Sequence, residues 1–473
     1  MARPDRFNRL VRIALGLALL VGVPLLAQPT PSNDLDLRQY EGHYAYRDDL
    51  TLYLVAHRDR LVALVGDGKY PLRRLAPDTF ENAVGVRIPI LRDGDGRVVA
   101  FQEGGETFHR LAAAIPADVR SLFEPRAGVT TYRYAAPAFV DDGIPVKAAG
   151  AGALSIAVAE QVVQGVIDGR YADVRSVLVY HRGALRLEEY FYGYDRARPH
   201  PMRSLTKSVV SLLAGIAIDR RAVRADEPIW EHLGVTPRAN PDPRKDRVTL
   251  RDLLANESGF ACDDRDGASP GNESKLYETS DWVQAFADLP MVDAPGAVGR
   301  YCSFGFKAAG RLVERTVGRP LPEFAQQALF EPLGIRRADW RWTFALDRSQ
   351  RNEFGQVYLR PRDMLKIGIL VQQRGEWAGR RVISAEWIDQ ATARQSRVDD
   401  SDYGLGIWHR WYNVRTASGT RRIDTIMMSG NGGQKVFLVP SLDLIVVFTG
   451  GTFNAESPTN EMMARVLLPA LMP

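Results

Sequence analysis

The stretch that most constrains this chain is Met202–Arg220, MRSLTKSVVSLLAGIAIDR. From Leu205 to Ile218 it is apolar almost all the way round, which describes a helix buried on most of its faces. Its first turn nevertheless carries Ser204 and, three residues on, Lys207. Residues at i and i+3 share a helical face, so hydroxyl and amine can meet. The lysine also has the wrong charge for the positive end of the helix dipole. A half-buried residue that costs stability locally calls for another reason to be there.

The chemistry supplies one. A serine hydroxyl is a poor nucleophile until a neighbouring base takes its proton. A lysine in apolar surroundings near a helix N-terminus is expected to have its pKa pushed down, so that it can serve as that base. S-x-x-K is the arrangement of serine β-lactamases and penicillin-binding proteins. Taken alone, it is equally the pattern of a core helix with a surface lysine at its start.

The length of 473 residues suits two or three domains. Of the formal charge of +4, three units come from Arg3, Arg6, Arg9 and Arg12 against Asp5. The remainder is nearly neutral, and nothing points to a nucleic-acid partner. Residues 1–27 read as a secretory signal, with a basic start, an apolar run Ile13–Leu26 and Ala27 before the cut. That run is short for a membrane span, although an uncleaved anchor is the alternative. No cysteine follows it to carry a lipid. The expected location is periplasmic or secreted, which makes Cys262 and Cys302 candidates for one disulfide.

Residues 38–112 differ in character from the rest of the chain. Thr51–Ala56, Arg60–Val65 and Arg97–Gln102 carry β-formers, separated by turns such as Arg47-Asp48-Asp49 and Asp93-Gly94-Asp95-Gly96. They predict a small all-β accessory domain, a barrel or half-barrel. Its His43, His57 and His109 are scattered and form no ligand cluster. Residues 113–150 read as a Pro/Ala/Gly-rich linker, and 151–473 as the main domain.

The main domain opens with an amphipathic helix, Leu154–Ile167, and a hairpin, Val177–Tyr180 and Leu185–Phe191, turning at Arg182-Gly183. Residues 222–400 are mostly helical. Thr249 caps a short helix, TLRDLL, and a long polar loop follows, CDDRDGASPGNES. Its Gly267–Gly271 has the letters of a nucleophile elbow, G-x-S-x-G. However, acidic residues precede Ser269 and Pro270 follows it, where the elbow requires a strand and a helix. Tyr403–Trp408, Asp424–Met428, Lys435–Val439 and Leu442–Phe448 predict neighbouring antiparallel strands, and Asn460–Leu468 a closing helix. The fold expected is α+β: an antiparallel sheet flanked by helices, its N- and C-terminal strands separated by a helical insertion.

Four further stretches join MRSLTKS in a resemblance. They are YHRGALRLEEYFYGY before it, then VTLRDLLANESGF, GRYCSFGFKAAGRLVERTVGRPLPEFAQQALFEPLGI and SGNGGQKVFLVPSLDLIVVFTGG after it. In order and spacing, over roughly residues 140–470, they resemble the β-lactamase-related serine hydrolases. That group holds class C β-lactamases, D-Ala-D-Ala carboxypeptidases and many esterases. The polar loop, the YCS triplet and the GNGGQ ending look most like the 6-aminohexanoate-dimer hydrolase branch.

The resemblance implies a serine β-lactamase/penicillin-binding-protein-like fold and a role for each matched residue. Ser204 would form an acyl-enzyme and Lys207 would be the base in acylation. The family's Tyr-x-Asn element falls on Tyr301-Cys302-Ser303. Tyr301 would share the proton with Lys207, pass it to the leaving group and help activate water. Ser303 stands where many relatives have Asn. The third element, Lys-Thr-Gly or His-x-Gly on a strand, is missing: Asp424–Gln434 offers no cation at the expected place, which argues against β-lactam or peptidoglycan substrates. One oxyanion-hole N–H would be that of Ser204, and the other would come from Ile426–Gly430. Gly430, Asn431 and Gln434 are candidate pocket residues. A Cys262–Cys302 bridge would pin the polar loop beside Tyr301.

The function expected is an exported serine hydrolase of an ester, a small amide or a peptide-like molecule, with neither metal nor cofactor. It would have no stable membrane span after signal cleavage, and the sequence does not identify a partner for the β domain. A D-Ala-D-Ala carboxypeptidase or β-lactamase is the alternative among enzymes, and a non-catalytic binding protein on the same fold the alternative outside them.

Overall fold

The computed structural model describes residues 37–472, apart from 48–49, 67, 84, 151, 236–238, 277–278, 280, 344–354 and 417–418. The expected signal, 1–27, lies outside the described residues. Among those described, no helix is long and apolar enough to cross a membrane.

Eight antiparallel strands between Gly42 and His109 follow one another as a meander. The first strand also meets the chain just past the last. Tyr44 bridges Arg110, and the Leu111 N–H donates to the His43 carbonyl at 2.8 Å. The sheet therefore closes into a barrel, which removes the exposed edges an open meander would leave. Tyr40, Tyr44, Phe80, Phe101 and Phe108 fill the interior.

The outer face of the barrel is docked. Val55, Val62 and Leu64 share a buried cluster with Val119, Phe123 and Tyr192. Lys69 reaches from the barrel to Asp173 and lies 4.4 Å from the Tyr192 ring centre. The 113–150 segment is likewise strapped down. Its Val146 bridges Leu185 in parallel, and Asp142 takes both Nε and Nη2 of Arg362 at 2.8 Å.

The main domain is built on a second eight-stranded antiparallel sheet. Across it run Ala184–Tyr190, Val174–His181, Leu444–Gly450, Gln434–Val439, Gly419–Gly430, Trp408–Thr416, Ser401–Tyr403 and Ser396–Val398. The first two strands come from the hairpin and the rest from the end of the chain, as the sequence predicts. One face packs through Met428, Val436, Ile445 and Val447 onto the Leu205–Asp219 helix and the helical insertion. The other face packs through Phe437, Val446 and Phe448 onto Ile156–Ile167 and the helical tail 459–471.

Two expectations need correction in detail. Tyr403–Trp408 is not one strand. Tyr403 ends one and Trp408 begins the next, because Gly406 adopts φ +77° in the turn between them. Leu444, rather than Leu442, begins the last central strand, since Pro440–Leu442 form a 3₁₀ turn that closes on Asp443 at φ +46°.

Candidate active site

The helix of residues Leu205–Asp219 is buried from Leu205 to Ala217, so its first turn sits inside the protein. Ser204 occupies the N-cap position, and Arg203 before it takes φ +50°, a left-handed conformation that costs a non-glycine residue energy. The kink places the hydroxyl over the helix start. There the Lys207 Nζ donates to Ser204 Oγ at 3.2 Å and to Ser303 Oγ at 2.9 Å, and lies 4.7 Å from the centre of the Tyr301 ring. Tyr301 is held from behind by Trp408, ring centres 5.5 Å apart, with the Arg265 guanidinium 5.2 Å from its ring centre. Two segments far apart in sequence thus meet at one amine.

Ser303 opens the helix Ser303–Val317, with Cys302 as its N-cap. The Sγ atoms of Cys262 and Cys302 lie at disulfide-bonding separation, their Cα atoms 5.3 Å apart. The polar loop is thereby brought against Tyr301. Ser269 of the elbow-like sequence spends its hydroxyl within that loop, accepting from Asp263 N–H at 3.0 Å and donating to the Ala261 carbonyl at 3.1 Å.

The expected sign of the Lys207 shift is overturned. Burial does push the amine down, but Tyr301, Glu273 and Asp264 face it, and together they hold it above the ordinary lysine value. The apolar helix made Lys207 look isolated, whereas the acids come from the loop. Asp264 is itself pushed up to about 7, by burial first and Glu273 second, against the pull of Lys207 and Ser303. Lys307, one turn along the helix from Ser303, is pushed down to about 7 by burial, with Glu273 opposing.

Gly430 lies against the turn that leads into Ser204, close to Met202 and Arg203. The outer neighbour of its strand pairs only as far as Trp408 with Met427, so Met428, Ser429 and Gly430 run past it beside the turn that carries Ser204. Asn431 and Gln434 sit farther along. Asn431 exchanges hydrogen bonds with Asn454 on the surface, and the Gln434 amide clasps the Gly450 backbone. Both hold the strand turn in shape. A cation stands one residue beyond Asp424–Gln434. Lys435 is the cross-strand partner of Ser429, and its Nζ donates to the Ser429 Oγ. Burial, then Arg410 and Arg265, pushes its amine down to about 8.

A family model described as Beta-lactamase matches residues 158–467. Esterase EstB of Burkholderia gladioli is 28% identical over 159 residues, 30% of this chain and 40% of that protein. The 6-aminohexanoate-dimer hydrolase of Paenarthrobacter ureafaciens is 24% identical over 289 residues, 56% of this chain and 70% of that one. Among solved structures, a penicillin-binding protein homolog from Caulobacter crescentus superposes with a TM-score of 0.50 at 14% identity, covering 66% of this chain and 97% of its own. At that identity the likeness speaks for the fold.

Proposed function

This chain belongs to the β-lactamase family and is a serine hydrolase; from that premise we propose that it works through an acyl-enzyme on Ser204, with Lys207 and Tyr301 handling the proton. The observation that carries the reading is the Lys207 amine, 3.2 Å from Ser204 Oγ and 4.7 Å from the Tyr301 ring centre. As Ser204 Oγ attacks the acyl carbon, its proton passes to the Lys207–Tyr301 pair and on to the leaving group. The same pair then takes a proton from water as the acyl-enzyme hydrolyses and returns it to the departing Ser204 Oγ. The Ser204 N–H and one N–H among Met428–Gly430 would hold the oxyanion.

The preferred substrate is an ester or small amide, as the names of the esterase and the dimer hydrolase suggest for relatives. A carboxylate-bearing substrate, such as a penicillin or an acyl-D-Ala peptide, is the second reading, favoured by Lys435 on the strand next to the missing third element. Export to the periplasm or medium is supported by the N-terminal sequence and by the apposed cysteines, which would close as a disulfide there.

Intact-protein mass after exposure to a fluorophosphonate, p-nitrophenyl esters and a penicillin tests this. An adduct on the wild type that is absent from Ser204→Ala supports the nucleophile, and the donor that turns over selects the substrate class. Folded wild type that takes no adduct from any probe would return the chain to the binding-protein alternative.

A further inference from the structure

Lys207 meets its acidic neighbours through one residue of the polar loop. The backbone N–H of Asp264 donates to the Tyr301 carbonyl at 2.8 Å. Its Oδ2 accepts the Ser303 N–H, and its Oδ1 the Glu273 N–H, each at 2.9 Å. Asp264 therefore grips both ends of Tyr301-Cys302-Ser303 and ties them to Glu273, at the start of the short helix Glu273–Leu276. Ser303, fixed by its N–H, receives the Lys207 amine on its hydroxyl at 2.9 Å. The charged and titratable groups acting on Lys207 are Tyr301, Glu273 and Asp264, with Lys307 as the like charge. The Tyr301–Ser303 segment is gripped a second time by Asn256, whose Oδ1 accepts the Cys302 N–H at 3.0 Å.

We propose that Asp264 is a positioning residue: through Ser303 it fixes Lys207 and Tyr301 against Ser204, and with Glu273 it supplies the negative charge that holds the Lys207 ammonium in the resting site. A lysine among apolar groups alone would shed its proton, and such an amine needs no carboxylates around it. Here Asp264 reaches it through Ser303, whose N–H the carboxylate accepts and whose hydroxyl takes the amine, and Glu273 is tied to Asp264 through its own N–H. They set how readily the Lys207–Tyr301 pair becomes the base form that takes the Ser204 proton. The geometry also explains why Ser303 can replace a longer amide: Asp264 holds the main chain of Ser303, so a short side chain suffices to reach the amine.

The inference rests on the acyl-enzyme reading, and its test separates the two. The second-order rate of fluorophosphonate labelling of Ser204 is measured from about pH 7.5, above the Asp264 titration, to about pH 11.5, past the ordinary lysine value, on full-length wild type, Asp264→Asn and Glu273→Gln, each shown to be folded by circular dichroism. Removing either negative charge makes the pair easier to deprotonate, so the rising limb moves to lower pH, by roughly one unit. Asp264→Glu, which keeps the charge, brings the limb back towards the wild type. A brace with no electrostatic part would lower the rate evenly and leave the limb in place, and that result overturns the proposal. If Asp264→Asn does not fold, Glu273→Gln reads the same limb, and an unmoved limb there is equally fatal. Folded wild type that does not label at all sinks the acyl-enzyme reading and this inference with it. A labelled wild type with unmoved limbs sinks this inference alone.

Discussion

A side-chain carbon on Gly430 would lie 2.1 Å from the carbonyl oxygen of Met202. Strand tip and Ser204 turn are therefore pressed backbone to backbone, a contact only glycine permits. Gly430→Ala must push the Ser204 turn away from the strand. A displacement of about 1 Å at such a site costs on the order of 100-fold in rate, while overpacking costs about 1–3 kcal/mol of stability. The expected variant is folded, modestly less heat-stable, and slower in phosphonate labelling by far more than its stability loss explains. Wild-type labelling in Gly430→Ala would show that the contact has no part in placing Ser204.

The apposed cysteines give a second prediction. A bridge between residues 40 apart in sequence constrains the unfolded chain, by about 4 kcal/mol in the loop-entropy argument. Cys302 also lies between Tyr301 and Ser303, so releasing it loosens the segment that Asp264 and Asn256 grip. Treatment with a reductant is expected to add two hydrogens to the mass, lower the melting temperature and slow Ser204 labelling. A mass that does not change on reduction would mean the thiols are free.

How much of this was legible in the sequence depended on whether a contact is local. Ser204 and Lys207 belong to one helical turn, so their meeting follows from spacing. The barrel strands and the split between hairpin and C-terminal strands follow from β-forming runs and turn residues. Tyr301 and Ser303 came from a resemblance, because nothing in their own neighbourhood announces them. Asp264 was read only as part of a polar loop. Its role depends on that loop folding back between Cys262 and Cys302, which no local pattern encodes. The sign of the Lys207 shift is hidden for the same reason, since the acids that reverse it are more than fifty residues away in sequence. Lys435 is not legible along a single strand, because register with Ser429 supplies its cation from the next.

Lys435 yields a test of substrate class. If it receives a carboxylate, Lys435→Ala slows acylation by a penicillin or a carboxylate-bearing ester about tenfold or more, as the loss of a charge-assisted hydrogen bond implies. Neutral p-nitrophenyl esters should change little. The comparison is a ratio of kcat/KM values in one variant, so a general loss of activity cancels. An equal fall for charged and neutral donors would remove Lys435 from substrate recognition.

Lys307 makes stability depend on pH in a direction that can be worked out. Its amine titrates near 10.5 in the unfolded chain and is pushed down to about 7 in the folded one, chiefly by burial. Below pH 7 it is charged in both states, and the folded state bears the full cost of enclosing that charge. Between 7 and 10.5 the unfolded chain still binds the proton and the folded chain does not, so the contribution of Lys307 becomes less unfavourable as pH rises. Lys307→Met removes this dependence. The variant should melt above the wild type at mildly acid pH, by on the order of several degrees, and the gap should narrow as pH climbs from 7 towards 10.5. Glu273 tempers the gap, since it attracts the Lys307 charge and loses that partner in the variant. Melting curves that stay parallel across this range would mean that Lys307 keeps an ordinary lysine pKa in the folded protein, and that Glu273 neutralises it fully.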